Sequence, residues 1–67
     1  MKVVEAEAGE RIDVFLKRAI VISRNSYSAL IAVFNDTDVA VYPDSCLRDL
    51  GEKYDMQRQI YQLRKGK

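Results

Sequence analysis

Four tyrosines, one cysteine, ten carboxylates and no histidine set the chemistry open to this chain of 67 residues. Without histidine there is no side chain whose ordinary pKa makes it a general base near neutrality, and the commonest nitrogen ligand for transition metals is missing. Cys46 is the single thiol. A helix N-terminus would lower its pKa, but with no histidine to pair with we read it as a small, partly buried hydrophobe. Asp36, Asp38 and Asp44 resemble a carboxylate cluster for calcium, yet they lack the spaced ligand set with its glycine and closing glutamate, and turn chemistry accounts for them. Gly9, Gly51 and Gly66 lie too far apart to form a phosphate-binding loop. The expectation is a non-enzymatic protein with no catalytic residue, no metal and no cofactor.

What remains is the chemistry of contact. Net charge is only +1, but it is blocky: residues 1 to 15 sum to −2, 16 to 34 to +3, 35 to 55 to −4 and 56 to 67 to +4. Arg58, Arg64, Lys65 and Lys67 form a basic tail that could dock on nucleic acid or an acidic partner. Cations also suit a helix C-terminus, where the macrodipole is negative, and a dedicated nucleic-acid binder usually shows a strong basic excess. Tyr27, beside Arg24 in a basic segment, is the best single aromatic for stacking on a base or anchoring a protein surface. Arg24, Tyr27, Arg58, Arg64 and Lys65 are therefore the candidate contacts for nucleic acid or a charged partner.

The elements that must position these groups begin with Leu30 to Pro43 (LIAVFNDTDVAVYP), two apolar runs separated by four turn-forming residues and stopped by the only proline. This reads as a β-hairpin. Asn35 to Asp38 suit a four-residue loop, and a two-residue turn at Asp36 and Thr37 is poorer because β-branched Thr37 resists positive φ. Either way Phe34 is expected opposite Val39, Val33 opposite Ala40, Ala32 opposite Val41 and Ile31 opposite Tyr42. Leu30, Ala32, Phe34, Val39 and Val41 then share one face, and Ile31, Val33, Ala40 and Tyr42 the other. Both faces are apolar.

From Glu10 onward, Ile12, Phe15, Leu16, Ala19 and Ile20 mark one face of a helix, with Ser23 to Ser26 as its expected stop. Val4 to Ala8 alternate as a strand would, but Val4, Ala8, Ile12 and Phe15 also extend the helical stripe backward across Gly9. The reading leans to a strand or extended arm, which could join the hairpin as a third strand. After Pro43, Asp44 or Ser45 is expected to cap a second helix whose stripe of Leu47, Leu50, Tyr54 and Tyr61 covers one hairpin face. Met56, Ile60 and Leu63 point roughly opposite.

The fold class expected is α+β, a single domain over residues 1–67 in the order helix, antiparallel hairpin, helix. So short a chain buries only about 60% of its unfolded surface, and neither a disulfide nor a histidine-based metal site can staple it. A homodimer is the remaining device, with Ile31, Val33, Tyr42, Met56, Ile60 and Leu63 as candidate contacts. A kink at Gly51 that lets a monomer cover itself is the alternative. An acidic N-terminal segment and the lack of an apolar run near 18 residues point away from a signal peptide or membrane span, toward the cytoplasm.

Two resemblances attach to these residues. GERIDVFLKRA followed by AVFNDTDVAVYPDS and a tyrosine-bearing helix resembles small phage- and prophage-encoded proteins of unknown function, which implies an accessory protein and assigns no functional residue. GERIDVFL, then SRNS at Ser23 to Ser26, then Leu30 and Ile31 resemble the α-L RNA-binding motif of ribosomal proteins and pseudouridine synthases. That likeness implies RNA binding, with Arg24 at a backbone-contacting position. The chain departs from the motif where a basic helical segment and a glycine-bearing turn are expected.

Overall fold

The computed structural model describes residues 2–65, with side chains described through residue 63. Five elements follow in order: β1 (Lys2–Glu5), α1 (Ile12–Ser26), β2 (Leu30–Phe34), β3 (Thr37–Val41) and α2 (Leu47–Lys65). The three strands form one sheet in the order β1-β2-β3. The fold is α+β, as the patterning indicated, and the ambiguous N-terminal segment is a strand at the sheet edge.

That edge strand runs parallel to β2, Val4 lying beside Ala32 and Glu5 beside Val33. Parallel neighbours need a crossover, and α1 supplies it. Gly9, at φ 80°, turns the chain between strand and helix in a backbone region that a side chain would strain. The Glu10 N–H donates to the Glu7 carbonyl at 3.0 Å, closing that turn.

The hairpin lies where expected, but its register differs by two residues. Phe34 faces Thr37, Val33 faces Asp38, Ala32 faces Val39, Ile31 faces Ala40 and Leu30 faces Val41. The turn is Asn35–Asp36, with φ of 49° and 62°, the double left-handed geometry of the tight hairpin turn whose twist matches the strands. Asn and Asp tolerate that conformation, so Thr37 is released from the turn to become the first, buried residue of β3. A shift by two leaves every side chain on its assigned face, because strand alternation has period two.

Both helices pack on the face bearing Val4, Leu30, Ala32, Val39 and Val41. Phe15, Leu16, Ala19 and Ile20 from α1 and Leu50 and Tyr54 from α2 complete the core. An aromatic ladder closes its hairpin-tip end: Phe15 stacks on Phe34 at 5.9 Å, and Phe34 meets the Tyr54 edge at 5.7 Å. The buried Tyr54 hydroxyl has no partner among the described residues, so that side chain is held by ring packing.

Two boundaries differ from expectation. Helix α1 runs through Ser26 and ends on Tyr27, at φ 52°: the Tyr27 N–H donates to the Arg24 carbonyl and the Ser28 N–H to the Ser23 carbonyl, the paired bonds of a Schellman end with tyrosine in the seat usually taken by glycine. Asp44 and Ser45 are not the cap of α2. Ser45 instead folds back on Tyr42, its N–H donating to the Tyr42 carbonyl at 3.0 Å and its Oγ accepting the Tyr42 N–H at 2.9 Å, and the first bond of α2 runs to the Cys46 carbonyl. Cys46 is exposed, not partly buried, because it precedes a helix and sits off the core stripe. Helix α2 is continuous through Gly51.

Asp36→Gly would place glycine at the second left-handed turn position. The variant is expected to gain about 0.5 kcal/mol or slightly more in urea denaturation, since glycine removes a steric cost of left-handed backbone that exceeds its added entropy here. A loss of stability would contradict the turn geometry.

Candidate interaction site

Strand alternation places Val3 and Glu5 from β1, Ile31 and Val33 from β2, and Asp38 and Ala40 from β3 on the face away from the helices, with Tyr42 just past the strand end. No helix covers this face. Val3 is 58% exposed and Tyr42 45%, while Ile31, Val33 and Ala40 are half-buried by their neighbours in the sheet. The only charged side chains that the three strands put there are the carboxylates Glu5 and Asp38. Lys53 reaches the Tyr42 ring from α2, its Nζ 5.8 Å from the centroid.

A second apolar surface lies on α2. Leu50 and Tyr54 are buried, the opposite side carries Met56 and Leu63, 62% and 72% exposed, and Ile60 lies on the flank of the helix, 39% exposed. Ile60 lines a hollow with Asp36, Thr37, Asp38, Gln57 and Tyr61, so this part of α2 lies beside the hairpin tip. The six residues expected to mediate association thus fall into two groups: Ile31, Val33 and Tyr42 on the sheet, Met56, Ile60 and Leu63 on the helix. The sequence missed Val3, because only the parallel pairing of β1 brings it beside Ile31.

The basic candidates do not converge. Arg24 is engaged within the fold, its Nε donating to the Pro43 carbonyl at 3.0 Å and tying the end of α1 to the segment leaving β3. Tyr27 stands 90% exposed at that same end. Arg58 lies toward the opposite end, on the half of α2 beside the hairpin tip, and lines a hollow of about 280 Å³ with Ile12, Leu16 and Tyr54. The side chains of Arg64 and Lys65 lie outside the described residues. No known family model, curated protein or solved structure matches this chain.

Among the described residues, no group of three or more cysteine and carboxylate side chains is arranged to hold a metal ion, and no helix is long and apolar enough to cross a membrane. The acidic side chains lining the groove between the β1–α1 connection and the hairpin tip include Glu5, Glu7, Glu10 and Asp36. Glu10 is already committed. Its Oε1 and Oε2 accept bonds from the Arg18 Nη2 and Nε at 2.9 and 3.0 Å, and Oε1 also accepts the Glu7 N–H at 2.9 Å. Arg18 further donates to the Glu5 carbonyl and lies 5.3 Å from the Phe15 ring centroid. These bonds tie α1 to the β1–α1 connection and to the end of β1.

The Arg18 guanidinium, followed by the Glu7 N–H, holds the Glu10 carboxyl below the ordinary value of 4.5, and Glu10 raises Arg18 in return. A carboxyl with a depressed folded-state pKa contributes stability that is complete above its unfolded value and is lost as pH falls through the folded one. Denaturation midpoints measured from about pH 5 to about pH 3 should therefore fall more steeply for the native chain than for Glu10→Gln. Parallel pH profiles would show that the pair does not support the fold.

Proposed function

We propose that this chain is a small non-enzymatic interaction module that associates with a second copy of itself, using the uncovered face of its sheet. The observation that carries this reading is the one-sided cover. Val3, Ile31, Val33, Ala40 and Tyr42 form a continuous apolar surface on a sheet whose other face holds the entire core. Exposed apolar surface that is contiguous and rimmed by charge marks an interaction site more often than scattered hydrophobes do. An accessory role of this kind agrees with the resemblance to small phage-encoded proteins.

A second reading, RNA binding, is favoured by one observation, the exposure of Tyr27 on a left-handed backbone. Against it stand the use of Arg24 inside the fold and the separation of Arg24 from Arg58.

Sedimentation equilibrium at micromolar concentration is expected to return twice the 7.7 kDa mass of one chain. A folded species of single mass would refute self-association. In the same buffers, a shift assay with structured RNA at two salt concentrations should show no tight complex. Tight binding that weakens steeply with salt would replace the first reading by the second, since phosphate contacts lose affinity as counterion release is suppressed.

A further inference from the structure

From the placement of charge around the open sheet face, we infer that the second copy stacks on it with its strands running the opposite way, so that Asp38 of each chain meets Lys53 of the other. The inference rests on the self-association reading and adds the orientation and the two residues that set it.

The open face carries different charges at the two ends of its strands. At the hairpin-tip end Glu5 and Asp38 flank Val33, and the next row is Val3, Ile31 and Ala40. At the far end Tyr42 follows β3, with the Lys53 Nζ 5.8 Å from its ring centroid. Asp38 and Tyr42 are four residues apart, about 13 Å along an extended chain. Asp38 and Lys53 are both exposed, and among the described residues neither belongs to a salt bridge. A carboxylate and a cation thus stand at opposite ends of one border of the face, neither paired with an opposite charge.

Sheets stacked in an aligned sandwich keep their strand directions within about 30° of one another. For two copies of one face this leaves two arrangements with a two-fold axis in the interface. With the axis along the strands, the tip ends coincide and Glu5 lies over the partner's Asp38, twice, which crowds four carboxylates together. With the axis across the strands, at the row of Ile31 and Ala40, each strand lies over its own counterpart in reverse. Asp38 then comes over the corner where the partner's Tyr42 and Lys53 stand, and the two-fold axis repeats the pair. Val3, Ile31, Val33, Ala40 and Tyr42 supply the apolar contact in both arrangements, so the charges decide between them.

Charge reversal tests this by sedimentation equilibrium. Asp38→Lys sets cation against cation at both contacts, and Lys53→Glu sets carboxylate against carboxylate. Each variant alone should dimerise at least about tenfold more weakly than the native chain, and their equimolar mixture should recover the native affinity to within about threefold, because both contacts of the mixed pair again join opposite charges. Mixing Asp38→Lys with Lys17→Glu, whose altered charge is exposed on α1 in the layer on the other side of the sheet, should give no such recovery. Circular dichroism checks the fold of each variant. If a reversal unfolds the chain, Asp38→Asn and Lys53→Gln replace it, and their combination should weaken the dimer no more than either alone. Native affinity in the single variants, a loss that the partner variant does not relieve, or equal recovery with Lys17→Glu would overturn the inference while leaving self-association standing. A single-chain mass for the native protein would overturn the self-association reading itself.

Discussion

The constraint on which everything else depends is that the described helices cover one face of the sheet. A sheet has two faces, and α1 and α2 pack on the same one. Once α1 and α2 have packed on Val4, Leu30, Ala32, Val39 and Val41, no described element remains to cover Val3, Ile31, Val33 and Ala40. An antiparallel sheet can leave a polar face in water, but a buried-type strand such as LIAVF brings apolar side chains to both faces. The functional reading follows from that mismatch between the two-sided strand and its one-sided cover.

The surface is presented by a frame tied at both ends. At the hairpin-tip end, Glu10 and Arg18 clamp the crossover and the Phe15, Phe34 and Tyr54 rings close the core. At the other, the buried Ser23 Oγ donates to the Ser28 carbonyl at 2.6 Å and Arg24 reaches Pro43. These bonds hold both helices in place over a sheet whose central strand carries Ile31 and Val33 outward. Regular elements position side chains more firmly than loops do, and the candidate surface is carried on strands.

Much of this was legible in the residues. The apolar runs around Asn35–Asp36 locate the hairpin, and the i, i+3, i+4 spacing of Ile12, Phe15, Leu16, Ala19 and Ile20 locates the face of α1. The face assignment of the hairpin survived an error in its turn because the error was an even number of residues. What was not legible depended on tertiary context. Thr37 looks like a turn residue until the core takes it, and Tyr27 gives no sign that it will end a helix in a glycine's conformation. The partner of β1 is decided by the crossover, which no local pattern in Lys2–Glu5 records, and with it the place of Val3. The association surfaces were visible as surplus apolar positions, but their separation onto a sheet face and a helix side needed the packing.

The central claim is that the outer face of the sheet is covered by another copy, and nuclear Overhauser contacts across the subunit boundary test it most directly. In a sample mixing isotope-labelled and unlabelled chains, the methyl groups of Ile31 and Val33 should show filtered contacts to protons of the unlabelled partner, while Leu30 and Val41, on the buried face, show none. Absence of any such contact to Ile31 and Val33, in a folded sample at a concentration well above micromolar, would contradict the account.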